Sequence, residues 1–342
     1  MSSATPTSTT PTVARSPFND TDADIIIRSA DGVDFHLYKV VLAKASPVFR
    51  GMLTLPDAQG QGEPQVVDIT EDADTLEGLL RFCYPVSRPV FQSVDKLGPV
   101  LAAAKKYDMP SVLEDLVRSF ESLLPTAPPL RTYTLACLLE LPDIARQAAK
   151  LLLGDPHCFD AEPMPPEFRV LPCEVMYVFA VYRGQCLKAA LSVVDDWDWL
   201  LTGNHNHQMQ YSNKGNPHLH STWIWLACVD CGEDDTREVW AGKRSGGATL
   251  YPRKWWARYV KGVREALTER PMPRVTGEAA LRERALSEAA SCETCAPKAP
   301  LELAEFSHSL LKRIEQAVNK VGFKLPFKDQ RDGVDSESAI WA

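Results

Sequence analysis

The sequence predicts an α+β protein: a small sheet covered by short helices, followed by a mainly helical C-terminal region with a small strand element. Three observations predict this. The β-branched run Ile25-Ile26-Ile27 and the alternating Val33-Asp34-Phe35 flank Asp31-Gly32, the pattern of a hairpin. From Lys39 onward the apolar residues change to helical spacing. The later chain carries long apolar stripes at that spacing over residues 173–194 and 301–321.

Length and composition set the outer bounds. A chain of 342 residues is expected to hold two or three domains and can bury a sizeable core. With 45% hydrophobic and 24% charged residues it has the make-up of a water-soluble globular protein. A net charge of −8 disfavours a general grip on nucleic acid or an anionic membrane. The longest uncharged apolar run, around Val175–Tyr182, is far too short to span a bilayer. The first residues show no basic region followed by an apolar stretch, so a secretory signal is not expected. Nine cysteines, an odd number spread along the chain, fit free thiols or metal ligands better than a disulfide framework. The expected location is intracellular, cytoplasmic or nuclear.

Each element then follows in order. Residues 1–20 are a Ser/Thr/Pro tract, expected to be a disordered arm, with a first domain over 21–124. After the hairpin, Lys39–Ala45 is a short and almost wholly apolar helix. Ser46 is placed to cap the next helix, with Pro47 at its first position and Val48, Phe49, Met52 and Leu53 at helical spacing. Residues 56–65 form a loop, and Val66–Ile69 a strand. Thr70 is the cap candidate for a helix through Leu76, Leu79 and Leu80, with Glu71, Asp72 and Asp74 near its positive end. Helices over Val94–Tyr107 and around Leu113–Leu123 follow, and Pro125 with Pro128-Pro129 marks a domain boundary.

A mainly helical second domain is expected over 131–327, and a flexible tail over 328–342. Its helices are Tyr133–Leu141, Ile144–Leu153, Cys173–Val194, Glu278–Ala290 and Leu301–Val321, with Gly184 a point of close packing. Alternation of Trp223, Trp225, Ala227 and Val229 reads as a strand over His220–Val229. Cys158 and Cys173 read as core thiols.

Two motifs carry chemistry. Cys228-x-x-Cys231 and Cys292-x-x-Cys295 are Cys-x-x-Cys pairs about 60 residues apart. Chance places about 0.2 such pairs in a chain with this many cysteines, so two call for an explanation. Zinc takes four soft ligands in a tetrahedron, and each pair supplies two from one tight turn. A single structural zinc ion, buried free thiols and a redox dithiol are the three readings, the last without a thioredoxin-like strand–motif–helix context. No other cofactor is indicated. Residues 239–264 form a basic island: Lys243, Arg244, Arg253, Lys254, Arg258, Lys261 and Arg264 are interleaved with Trp240, Tyr251, Trp255, Trp256 and Tyr259. That mix suits phosphate contacts with base stacking. The spacing of Trp255, Tyr259 and Val263 equally suits a helix core face. His205, His207, His218 and His220 lie in an Asn/Gly-rich stretch that reads as a solvated loop. The chain has no Gly-x-Ser-x-Gly elbow, phosphate loop, dinucleotide fingerprint or His-Glu-x-x-His, and is expected not to be an enzyme.

The order of elements over residues 22–123, with Asp24, Phe35, Lys39, Leu42, Ser46, Phe49, Met52, Tyr107, Val112 and Leu113, resembles a BTB/POZ domain. The whole chain is similar to BTB proteins of mushroom-forming fungi, a likeness that carries no activity for the C-terminal part. Two features depart from the family pattern. Tyr38 stands where the family often has histidine, and Tyr84–Ser93 leaves little room for an extra strand. No clear hydrophobic-x-acid element of cullin adaptors appears, although Val94-Asp95 is close by. The resemblance implies protein partners and a homodimer formed through the first helix and its flanks: Lys39, Val40, Val41, Leu42, Phe49 and Met52. A helix apolar nearly all round must be covered on both sides, by a partner chain or by the second domain. The leading expectation is a non-enzymatic interaction or scaffold protein. A substrate adaptor of a cullin-based ubiquitin ligase and a zinc-supported nucleic-acid-binding regulator are the alternatives.

Overall fold

The computed structural model describes residues 12–54, 64–158, 160, 164–196, 199, 223–231 and 252–327. The chain divides into two compact units, one of residues 1–148 with 165–171, the other of 149–164 with 172–342.

The first unit is built on a four-stranded sheet of β1 (Thr12–Val13), β2 (Ile25–Arg28), β3 (Val33–Leu37) and β4 (Gln65–Asp68), in the order β1-β3-β2-β4. The β2–β3 pair is the expected antiparallel hairpin, with Ile25 opposite Leu37 and Arg28 opposite Asp34, while β1 and β4 add in parallel. Gly32 at the turn has φ of 81°, a conformation that a Cβ would strain. Ile25, Ile27, Phe35 and Leu37 enter the core. Arg28 and Asp34, cross-strand partners, form a two-pronged ion pair at 2.6 and 2.9 Å.

Order begins earlier than the Ser/Thr/Pro composition implies. Residues 12–13 pair with β3, and Phe18 is buried against Phe35 and the edge of Tyr84. The expected arm over 1–20 is therefore structured from residue 12, and residues 1–11 lie outside the described residues. Backbone pairing needs no apolar side chain, so composition does not reveal it.

Helices α1 (Lys39–Ala45), α2 (Pro47–Leu53), α3 (Ala73–Leu80), α4 (Val94–Lys106), α5 (Pro110–Leu123) and α6 (Pro129–Leu138) complete the unit, and α7 (Pro142–Leu152) carries the chain into the second. The Asp24 carboxylate accepts the Lys39 N–H at 2.7 Å and so holds the start of α1. Ser46 caps α2 as expected, accepting the Phe49 N–H at 3.0 Å. Asp72, not Thr70, caps α3, accepting the Thr75 N–H at 2.8 Å. Phe49 stacks on Tyr107 at 4.4 Å, and the Tyr107 hydroxyl donates to Glu71 at 2.6 Å. The proline pair at 128–129 opens α6 instead of ending the unit. A Cβ on Gly98 of α4 would lie 2.9 Å from a terminal methyl of Leu135 of α6, so the bare glycine leaves room for that side chain. Arg131 of α6 pairs with Asp95 of α4 and with Glu167.

The second unit contains α8 (Cys173–Asp195), α9 (Ile224–Ala227), α10 (Lys254–Glu269), α11 (Ala279–Ala289) and α12 (Ala299–Asn319). Phe179, Tyr182, Cys186, Ala190 and Val194 of α8 are buried in the core. So are Leu303, Phe306, Leu310, Ile314 and Val318 of α12. Residues 224–227 are helical where alternation predicts a strand. Trp223, Ile224 and Trp225 are buried in succession and Ala227 is exposed, so burial does not follow the period of two that the residue types suggest. Trp225 lies flat on Trp256 at 4.1 Å, and both meet Phe306 edge-on. Among the described residues a Cβ on Gly184 would meet no neighbouring element within 4 Å, so close packing does not call for glycine there. Cys158 is buried as expected, but Cys173, at the start of α8, is exposed.

Candidate metal centre and interaction face

The two Cys-x-x-Cys pairs sit at the ends of helices. Cys228 follows α9 directly and donates its N–H to the Ile224 carbonyl at 2.9 Å. The opposite end of α9 is held by Glu302 of α12, whose carboxylate accepts the Ile224 N–H at 2.5 Å. Cys292 and Cys295 occupy the turns between α11 and α12, and the Cys295 carbonyl accepts from Ala299 at 2.9 Å as α12 begins. Local chain direction in both segments is thus set by helix ends, which aim two sulfurs from each turn toward one point.

The four sulfurs converge there. Cys228 Sγ lies 3.7 Å from Cys292 Sγ, and Cys231 Sγ lies 3.6 Å from both Cys228 Sγ and Cys295 Sγ. All four are within 4.8 Å of one another. A disulfide needs sulfurs at about 2.05 Å, so these are thiols. A tetrahedron with metal–sulfur bonds of about 2.3 Å has edges of about 3.8 Å. The donor set and its spacing therefore fit a structural zinc ion. Cys228, Cys292 and Cys295 are buried and Cys231 is half-buried, as a closed four-ligand site requires. Among the described residues this is the one such group of His, Cys, Asp or Glu.

Without an ion, the electrostatics favour neutral thiols at two of the four positions. Burial and the neighbouring Cys228 sulfur push the Cys295 thiol up to about 12. Burial and the other sulfurs push Cys231 higher still. Burial acts upward on Cys292 too, but the amides of Cys295 and Thr294 aim at its sulfur, and together with Cys228 and Cys231 they bring it below its ordinary value. Four thiolates cannot crowd this space alone, whereas a divalent cation reverses the balance. The middle residues of the two turns are also joined: the Thr294 hydroxyl donates to Asp230 at 2.6 Å. The four candidate ligands are visible in the sequence, whereas Asp230, Thr294, Glu302 and Arg253, whose guanidinium donates to the Cys228 carbonyl, join the site only in the fold. Only Asp230 and Thr294 carried a signal, their position inside the motifs.

The interaction residues inferred from sequence separate into two groups. Leu42 and Phe49 are core residues of the first unit and cannot meet a partner. Val40 is 60% exposed and Val48 36% exposed, with Val41 and Met52 half-buried beside them in sequence and Lys39 half-buried at the helix start. Val48 was not among the expected contact residues. A groove of about 510 Å³ between α3 and α4 is lined in part by Asp72, Glu77, Arg81, Val90, Phe91 and Lys96. Val90 is 88% exposed on its rim. Val94 is buried and Asp95 is paired with Arg131, so Val94-Asp95 does not present a hydrophobic-x-acid element.

Of the basic island, residues 239–251 lie outside the described residues, as does the histidine-bearing stretch 205–220. Trp255, Trp256 and Tyr259 are buried core residues, so they are not a platform for stacking bases. Arg258 pairs with Glu288, and Arg264 with Asp195. No helix among the described residues is long and apolar enough to cross a membrane.

Residues 16–123 match the family model of the BTB/POZ domain. No curated protein matches the chain. The chain thus carries a BTB/POZ domain, a protein-interaction fold without catalytic function, which supports a general interaction role.

Proposed function

We propose that this BTB/POZ protein is a scaffold that pairs with a second copy through α1 and α2, while a zinc-closed C-terminal unit engages a protein ligand. The observation that carries the reading is the solvent exposure of two apolar side chains, Val40 of α1 and Val48 of α2, in a domain whose fold works by binding protein. Burying such side chains gains about 25 cal/mol per Å² of apolar surface, which favours covering them with a matching face. The C-terminal zinc ion supplies a cross-link and charge neutralisation, not chemistry on a substrate. Cys228, Cys231, Cys292 and Cys295 would hold it.

Light scattering on the purified chain tests the pairing. A dimer at tens of micromolar that becomes a monomer in the Val40→Lys, Val48→Lys double variant supports it. A monomer for the unaltered chain at that concentration rejects it.

The groove between α3 and α4, with Val90 on its rim, favours one second reading, a substrate adaptor of a cullin-based ubiquitin ligase. Stoichiometric co-purification of a cullin, lost in Val90→Asp, would make it the primary one.

A further inference from the structure

Among the described residues Arg253 is the one buried lysine or arginine, at 5% exposed. It lies against the one cysteine cluster found there. Its place is set by backbone as well as side chain. Its N–H donates to the Trp225 carbonyl at 2.8 Å, and its own carbonyl accepts from Trp256 and Ala257 at 3.1 Å where α10 begins. Its guanidinium donates to the carbonyl of Cys228, a ligand residue of the cluster.

A buried cation costs several kcal/mol of desolvation and persists where negative charge repays it. Four thiolates around one divalent ion carry a net charge of −2, and Asp230 adds another negative group at the turn. Lys298, beside the Cys295 turn, is exposed, so water screens its charge.

Resting on the zinc reading above, we propose that Arg253 is the charge-compensating positioning residue of the Cys228/Cys231/Cys292/Cys295 centre. It holds the Cys228 turn by its carbonyl and offsets the negative charge of the loaded site. The site then prefers a divalent metal in a tetrathiolate shell over four neutral thiols. Outer-shell partners of this kind commonly change metal affinity 10–100-fold.

The test uses the full chain, zinc(II) and a competing chromophoric chelator, with cobalt(II) as a spectroscopic probe of the thiolate shell. Arg253→Gln keeps a donor and removes the charge. Arg253→Lys keeps the charge and loses the planar fork. The expected result is zinc binding about 10–100-fold weaker for Arg253→Gln, with Arg253→Lys restored to within a few-fold of the unaltered chain. Lys298→Gln removes an exposed charge and is expected to change affinity by less than about threefold. Where Arg253→Gln does not fold, Arg253→Met fills the same buried space with an apolar chain and is read the same way. Equal affinities for the Gln or Met variant and the Lys variant overturn the proposal while leaving the zinc centre intact. An unaltered chain that takes up no zinc and gives no cobalt–thiolate band overturns both.

Discussion

The Thr294 hydroxyl donates a 2.6 Å hydrogen bond to the Asp230 carboxylate, joining the middle positions of two Cys-x-x-Cys turns 64 residues apart. The bond fixes the separation of the turns independently of any ion between them. Thr294→Val removes it without changing shape. Because Asp230 is exposed and re-solvates, the cost is expected to be about 1 kcal/mol. Chemical denaturation of the zinc-loaded protein measures it, and a loss above about 3 kcal/mol would mean that the bond organises more than the two turns.

Removing the metal should reach the aromatic core. Trp225 lies three positions before Cys228 and stacks on Trp256. A strong chelator is expected to lower the melting temperature of the C-terminal unit and shift tryptophan emission in the same titration. One zinc per chain by elemental analysis is the companion result, and well under one ends the zinc reading. Cys295→Ser should reproduce the chelated state.

The interaction face separates binding from folding. Val40→Lys and Val48→Lys alter side chains open to solvent, and each should change stability by less than about 0.5 kcal/mol. Phe49→Ala empties a core position stacked on Tyr107 and should cost about 3–5 kcal/mol. Parallel light-scattering and thermal-melt series distinguish the two, and a large melt shift in Val40→Lys would place that residue in the core.

The first unit should lose stability in acid through Glu71. Burial would raise this carboxyl, but hydrogen bonds from Lys106 and Tyr107 outweigh it and hold it below its ordinary value. A carboxyl depressed in the folded state contributes stability that is present above its unfolded pKa of about 4.3 and lost as pH falls through the folded value. The stability gap between the unaltered protein and Glu71→Gln should therefore be widest above about pH 5 and close in stronger acid. Urea midpoints across pH 2–7 check the sign, and a gap that widens in acid contradicts it.

Features that depend on a few neighbouring residues were legible. The Asp31-Gly32 turn joins the hairpin, Ser46-Pro47 starts α2, and the stripes over 173–194 and 301–321 are helices within a residue or two of the expected ends. Even there, local spacing misjudged a cap: Asp72, two residues beyond Thr70, is the residue whose carboxylate reaches an amide of α3. Residues 224–227 are helical against the expected strand because alternation of residue types reports on burial only when alternate side chains share a face, and here the consecutive Trp223, Ile224 and Trp225 are buried together while Ala227 is exposed.

The residue string alone carries the element types, the two cysteine pairs and the apolar character of α1, because turns, caps and periodicity act over one or two turns of chain. Folding is what brings Cys228 and Cys231 to Cys292 and Cys295 and sets Arg253 behind them. It also buries Leu42 and Phe49 while leaving Val40 and Val48 open. Those outcomes rest on which surfaces cover which, a long-range burial balance that closes loops of tens of residues and leaves no mark in local spacing.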